Sequence, residues 1–152
     1  MTQVFVFVSG NPDAQRHLAD TIENPIDDEM VFYGFPSTYR KDLEGIREER
    51  NGFYAWGAVP GDMNTLRWNQ MKQGDYVLSS YDNAYHHAAR VLAKYDNRRF
   101  AERVWGRDNE GRTWRYMYFL TLPNRTGRNR SPRFRGRVLP ERRISRLYQD
   151  PS

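Results

Sequence analysis

Four segments of the chain are dominated by β-branched and aromatic residues, and each of them predicts a β-strand. The first is the uninterrupted apolar run Val4–Val8, which ends at a Ser-Gly-Asn-Pro turn. The other three lie at 76–81, 88–95 and 113–120, and residues 30–33 form a further short candidate strand. Strands separated by long polar stretches leave room for helices between them.

Apolar positions spaced three or four residues apart predict a short amphipathic helix over Asp13–Ile22, with Asp13 as its N-cap. Further helices are predicted over 42–50, 64–71 and 97–105. The Asp-Asn-Glu-Gly sequence at 108–111 predicts a hairpin turn before the last strand. The chain therefore opens with a strand, a turn and a helix.

Length and composition limit the kinds of site that the chain can hold. Its 152 residues suit one domain, taken as 1–152, with a core that needs neither disulfide nor metal. The chain has no cysteine and three histidines, His17, His86 and His87, which we expect at the surface, so neither a metal nor a cofactor is predicted. A mean hydropathy of −0.93 without a long apolar run predicts a cytoplasmic protein with no membrane partner.

The distribution of charge changes this picture. Residues 1–62 hold 5 Lys/Arg and 11 Asp/Glu, whereas residues 63–152 hold 19 and 8. Arginine makes up 21 of the 24 basic residues, and its planar guanidinium suits phosphates and base edges. A mobile basic loop is predicted at 124–137. A nucleic-acid partner is favoured over a purely compositional bias, with phosphate contacts predicted from Arg90, Arg115, Arg128, Arg130, Arg133 and Arg135.

Aromatic residues are more abundant than a core of this size needs, at 4 Trp, 10 Tyr and 8 Phe. Several lie beside turn residues, where exposed rings next to arginines suit the stacking of bases. The sequence holds no phosphate-binding loop, no nucleophile elbow, no zinc-protease motif and no dinucleotide fingerprint. The chain is therefore expected to be a binding domain and not an enzyme.

Four short motifs, in this order, resemble the YTH and EVE branch of the PUA superfamily. They are the first strand with its Ser-x-Asn turn, an aromatic-x-Trp segment, a Pro-Gly-Asp-x-Asn-x-Leu segment, and a Lys-x-Gly-Asp turn before a strand; here they are 4–11, 54–57, 60–66 and 72–78. The resemblance covers most of residues 3–122. It implies an α+β fold, a PUA-like curved β-barrel with short flanking helices.

The resemblance also implies an aromatic cage that sandwiches a methylated base flipped out of its strand. One wall matches Trp56, and a second maps onto Trp114 or Tyr116. Tyr81 and Trp68 complete the set of cage candidates, and the base edge is assigned to Ser9, Asn11 and Asn64. Two features depart from the family: residues 25–52 form an insertion, and Gly57 stands where a small hydroxyl residue is common.

Residues 95–120 are also similar to the N-terminal domains of McrB-type modification-dependent restriction GTPases. This resemblance implies double-stranded DNA with a methylated base, N6-methyladenine first, as the partner. It implies in addition a GTPase and a nuclease subunit, fused or associated, and a chain that is a module of a longer protein.

Two alternatives stay open. One is an RNA-binding PUA-like module, because the same cage would accept a methylated base from RNA. The other is a small hydrolase of the ASCH type, whose site would draw on Lys72, Lys94 and Asp75.

Overall fold

The computed structural model describes residues 2–50 and 52–125 as one sheet with helices around it. The strands are β1 Val4–Val8, β2 Tyr54–Ala58, β3 Tyr76–Tyr81, β4 Ala84–Asp96, β5 Tyr116–Leu120 and β6 Asn124–Arg125. The helices are α1 Pro12–Thr21, α2 Asp28–Gly34, α3 Arg40–Arg50, α4 Asp62–Gln70 and α5 Arg98–Trp105, with a 3-10 turn at Ser37–Tyr39.

The sheet has the strand order β1-β3-β4-β5-β2, with β6 paired to β4. The β1–β3 pair is parallel and the other pairs are antiparallel. The first half of β4 pairs with β3 and its second half pairs with β5, with a register shift between Val91 and Ala93. A long strand that changes partner at an irregularity bends the sheet. This bend brings the two ends of the sheet toward each other.

The terminal strands β1 and β2 meet through their side chains. Phe7 of β1 stacks on Trp56 of β2, with ring centroids 4.3 Å apart and planes inclined by 23°. Within the described residues no hydrogen-bonded ladder joins these two strands. The α+β class and the curved sheet with flanking helices are confirmed, and in the described residues the sheet stays open between β1 and β2, where Phe7 stacks on Trp56.

Strand β2 and strand β5 alternate between two hydrophobic cores, as the two faces of a sheet require. Ala55 and Phe119 face an outer core that is covered by the helices of residues 26–50 and by α5. Trp56 and Tyr118 face an inner core inside the curved sheet, which α1 closes with Leu18. Residues 26–50 and α5 therefore supply the helical layer over the outer face.

Several local predictions need correction. Residues 30–33 lie in α2 and not in a strand, because the Asp27 side chain accepts hydrogen bonds from the backbone of Glu29 and Met30 and starts a helix. The N-cap of α1 is Asn11, whose Oδ1 accepts from Ala14 N at 2.8 Å, and not Asp13.

Two predicted loops also differ in the structure. The 108–111 turn forms, with Gly111 N donating to Asp108 O, but it joins α5 to β5 instead of two paired strands. The predicted basic loop begins with the short strand β6, and its remainder lies outside the described residues.

A buried hydroxyl ties α1, β2 and α5 together. Thr21 Oγ1 lies 2.7 Å from the Ala55 carbonyl oxygen, to which it donates, and it accepts from Trp105 Nε1 at 3.3 Å. Both contacts are buried, so the loss of the hydroxyl would leave a carbonyl and an indole N–H without their partner.

Thr21→Val keeps the side-chain shape and removes this hydroxyl. We expect the free energy of unfolding to fall by about 2–4 kcal/mol, because a buried polar group left unsatisfied costs about 1–3 kcal/mol. Denaturant titration measures the change. The matched control is Thr38→Val in the exposed 3-10 turn, expected to stay within about 0.5 kcal/mol of wild type. Equal effects of the two substitutions would contradict a structural role for the Thr21 hydroxyl.

Candidate functional site

A cavity of about 740 Å³ opens where the end of β1, the start of α1, the end of β2, α4 and the turn at 108–114 meet. Cavities of about 300–1,000 Å³ are typical of sites for small organic groups. Its wall is rich in aromatic rings: Phe5, Phe7, Trp56, Trp68, Trp114 and Tyr118. Three of the five predicted cage residues are therefore brought together here.

Trp56 lies deeper than a partly open cage wall. It is 7% exposed, stacks on Phe7 and belongs to the inner core as well as to the cavity wall. The cause is its position on the inward face of β2. Removing this indole would damage the core and the cavity together, so Trp56→Ala cannot separate the two roles.

Trp68, which also lines the cavity, is held in place by a hydrogen bond, a ring stack and a cation–π contact. Its Nε1 donates to the Met117 carbonyl oxygen at 3.2 Å, and its ring stacks on Tyr116 with centroids 4.7 Å apart and planes inclined by 14°. The Lys94 ammonium lies 4.7 Å from the ring centroid and donates to the Trp68 carbonyl oxygen. Tyr116 thus supports Trp68 and is not on the cavity wall.

Trp114 is half-buried and meets His17 edge to face, with ring centroids 4.3 Å apart and planes at 88°. The His17 ring also lies 6.2 Å from the Trp56 ring and 5.9 Å from the Trp105 ring. Burial lowers the pKa of His17 below its ordinary value, against smaller opposing effects that include a hydrogen bond to the Trp105 backbone. The imidazole is therefore neutral at pH 7.

The expectation of surface histidines is wrong for two of the three. His17 is 4% exposed on the inward side of α1, and His87 is buried beside Ser79, whose Oγ lies 2.9 Å from His87 Nδ1. Position 17 falls on the same helix face as Ala14 and Leu18, which was the signal available in the sequence.

Gly57 allows two segments to approach closely. A Cβ at this position would lie 2.4 Å from the Trp114 carbonyl oxygen and 2.8 Å from the Trp105 ring. Successive residues of a strand direct their main-chain N–H and C=O groups to opposite sides. The carbonyls of Phe53 and Ala55 accept hydrogen bonds on the side of β2 that faces away from β5. Gly57 lies two residues after Ala55, so its N–H and C=O face that same side, at the cavity wall.

Polar side chains line the rim of the cavity. Asn11 uses its Oδ1 in the α1 cap, which leaves its amide nitrogen to donate, and Asn64 Nδ2 donates to the Val59 carbonyl oxygen at 2.9 Å, which leaves its oxygen to accept. Three charged side chains complete the rim: Asp13, Arg67 and Asp108. Backbone hydrogen bonds from Arg112 and Glu110 hold the pKa of Asp108 below its usual range.

Two other predicted site residues lie away from the cavity wall. Ser9 is fully buried, and its backbone N–H donates to the Ser80 carbonyl oxygen at 2.8 Å. Tyr81 stacks on His86 at the β3–β4 turn, with ring centroids 3.4 Å apart. Both residues serve the local structure of the sheet edge.

The two described arginines among the predicted phosphate contacts are engaged within the fold. Arg90 donates from Nε and a terminal nitrogen to the Gly74 carbonyl oxygen, at 3.1 Å and 2.9 Å. Arg115 forms a two-pronged pair with Asp96 at 2.7 Å and 2.9 Å. Residues 128, 130, 133 and 135 lie outside the described residues.

The excess of positive charge belongs to the C-terminal residues. Residues 1–125 hold 16 Lys/Arg and 17 Asp/Glu, whereas residues 126–152, named the basic tail here, hold 8 and 2. Residues 1–125 are therefore close to electrically neutral, and the net positive charge of the chain comes from the basic tail.

The residues of the hydrolase alternative do not meet at the cavity. Asp75 accepts from the backbone of Gln3 and Lys72, and Lys94 donates to the Trp68 carbonyl oxygen. In the described part of the chain, no group of three His, Asp or Glu side chains could hold a metal ion. No described helix is long and apolar enough to cross a membrane.

The curved mixed sheet, with α1 and α4 at its cavity end, defines a PUA-like α+β domain. No protein-family model and no curated protein matches the chain in sequence. Among solved structures it is similar to the N-terminal domain of Thermococcus gammatolerans McrB bound to m5C DNA, with a TM-score of 0.58 and 12% identity. The match covers 84% of this chain and 78% of that chain. The predicted resemblance to McrB N-terminal domains is confirmed at the level of the fold.

Gly57→Ala is expected to lower the free energy of unfolding by about 1–3 kcal/mol, because the added methyl group collides with the backbone of Trp114. Gly45→Ala in α3 is the matched control. A Cβ there meets nothing within 4 Å, and alanine is favoured over glycine in a helix by about 0.5–1 kcal/mol. The two substitutions should change the melting temperature in opposite directions, and a stabilised Gly57→Ala protein would contradict the close approach.

Proposed function

We propose that this domain binds double-stranded DNA that carries a methylated base and holds that base, flipped out of the duplex, in the tryptophan-lined cavity. The observation that carries the proposal is the convergence of Trp56, Trp68 and Trp114 on one cavity, in a fold shared with a domain whose solved structure is bound to m5C DNA. N6-methyladenine is the first candidate base.

The shape of the site favours a base that has left its stack. The aromatic wall lies at the bottom of a cavity, which a base inside a duplex cannot reach, so the base has to be extruded at a cost of a few kcal/mol. A methyl group on the exocyclic amine weakens pairing and adds apolar surface. Both effects favour extrusion and the contact with indole rings.

Binding strength and base selection come from different parts of the chain in this proposal. Lys and Arg that neutralise phosphates release counterions and give affinity without sequence information. The basic tail supplies that charge, and the cavity selects the base. The domain itself would be a reader without catalytic activity.

The fold likeness extends the proposal to a cellular role. A reader of this kind would mark modified DNA in the cytoplasm for a GTPase and a nuclease, on the same polypeptide or on associated ones. Methylated RNA would enter the same cavity, and competition between matched DNA and RNA strands separates the two partners, because only RNA offers the 2′-hydroxyl.

Trp114→Ala should weaken binding to a methylated duplex by about 1–3 kcal/mol, the contribution of stacking one base on one aromatic ring. Fluorescence anisotropy with methylated and unmethylated duplexes of one sequence measures the effect on protein shown to be folded by circular dichroism. The matched control is Tyr33→Ala, an aromatic residue of α2 that is 78% exposed and remote from the cavity lining. Wild-type protein that binds both duplexes equally would refute the proposal.

Replacement of Arg128, Arg130 and Arg133 by alanine together should weaken binding to all duplexes by similar factors. The slope of log affinity against log salt should become shallower by roughly 0.9 for each phosphate contact that is lost. The preference for the methylated duplex should survive. Arg115→Ala is the control, because Asp96 already pairs with that side chain. Loss of the preference with an unchanged salt slope would place the tail arginines in the base site instead.

A further inference from the structure

His17 is a buried polar side chain of the cavity wall. It is 4% exposed, as is Tyr118, while Asn11, Asn64 and Arg67 are exposed at the rim. The centroid of its ring lies 4.3 Å from that of Trp114 and 6.2 Å from that of Trp56. An occupant of the space beside these two indoles would therefore lie next to the imidazole.

The hydrogen bonding of the ring fixes what this atom can do. A hydrogen bond with the Trp105 backbone raises the pKa of His17, as donation from a ring N–H to a carbonyl oxygen does, and no described side chain is hydrogen-bonded to the ring. A neutral imidazole has one donor and one acceptor nitrogen. The donor is engaged by a backbone carbonyl, so the nitrogen left for a ligand is an acceptor.

We infer that this acceptor nitrogen of His17 reads an amino N–H of the flipped base. The inference rests on the proposed function and deepens it. Adenine N6 and cytosine N4 are donors, whereas guanine O6 and thymine O4 are acceptors. A carbonyl oxygen placed against His17 would oppose two acceptors, so this contact favours a base that turns its exocyclic amine toward His17.

The number of methyl groups on the exocyclic amine decides whether it can donate this hydrogen bond to His17. A monomethylated exocyclic amine keeps one N–H for His17, and a dimethylated amine keeps none. The buried acceptor would then lose its partner, which is more costly than the loss of an exposed hydrogen bond. His17 therefore makes N6-methyladenine a better ligand than N6,N6-dimethyladenine.

Protonation would reverse the contact, because the imidazolium has two donors and no acceptor. The charged groups around His17 are Asp13, Arg16 and Asp20 on its own helix and Arg67 and Asp108 across the cavity. Burial lowers the pKa of His17 from 6.5, so the neutral form persists through pH 7 and is lost as the pH falls through the lowered value. Protonation of other histidines would add positive charge and strengthen phosphate binding at low pH, whereas protonation of His17 would weaken the binding of the base.

The test measures affinity by fluorescence anisotropy with the full chain and duplexes of one sequence that carry adenine, N6-methyladenine or N6,N6-dimethyladenine. Wild-type protein should prefer the monomethylated over the dimethylated duplex by on the order of tenfold to a hundredfold. This preference should collapse in His17→Phe, which keeps a ring without an acceptor. Affinity for the monomethylated duplex should fall in wild-type protein as the pH drops below 6.5 and passes through the lowered pKa of His17.

His17→Gln keeps an acceptor that does not titrate, so it should bind the monomethylated duplex with little change in affinity over that pH range. It also tests the inference if His17→Phe does not fold. His86→Gln, which changes a half-buried histidine at the β3–β4 turn, is the matched control and should retain the wild-type pH dependence.

A preference for the monomethylated duplex that survives in His17→Phe would overturn the inference, because size exclusion and not the acceptor would then discriminate. A wild-type affinity that does not fall at low pH would overturn it as well. Both results leave the proposed function standing as long as the wild-type protein prefers methylated over unmethylated DNA. Equal binding of those two duplexes removes the proposed function and the inference together.

Discussion

Strand β2 has to satisfy two hydrophobic cores at once, and the position of the cavity residues depends on it. Ala55 turns toward the helices of residues 26–50, while Trp56 turns toward the inner core and the cavity. A shift of register by one residue would exchange these faces. The Thr21 hydroxyl holds the strand to α1 and α5, and Gly57 lets the Trp114 segment pack directly on the strand. The cavity therefore owes its shape to backbone packing more than to any single aromatic residue.

The aromatic cavity lies in the described residues, whereas the net positive charge of the chain lies in residues 126–152. Many described arginines form ion pairs with carboxylates, for example Arg115 with Asp96 and Arg112 with Asp108. Such pairs hold surface elements together but offer little free charge to a polyanion. An arginine-rich sequence is thus a poor guide to a basic surface, because carboxylates nearby in sequence, such as Asp108, or distant in sequence, such as Asp96, pair with the arginines.

The strands were largely predictable, because continuous runs such as Val4–Val8 and 76–81 carry a strong local signal. The same reasoning failed for α2, where the cap at Asp27 outweighs the β-prone residues after it. The resemblance of short motifs pointed to Trp56 and Trp114, and Trp68 was a candidate because it lies beside a Pro-Gly turn. His17 was not foreseen as part of the site, because its surroundings come from segments far apart in the chain. The placement of Tyr116 behind Trp68 likewise depends on the path of α4 across β5.

The stack of Phe7 on Trp56 gives the barrel a seam that differs from its other strand junctions. Elsewhere, neighbouring strands can part only by breaking a row of backbone hydrogen bonds. In the described structure, β1 and β2 are held by two rings in contact, and rings slide or tilt with little loss of burial. The junction between β1 and β2 therefore depends on side-chain packing in the inner core. Substitutions at Phe7 or Trp56 act on this junction directly, whereas every other strand junction has a backbone ladder that does not depend on side-chain identity.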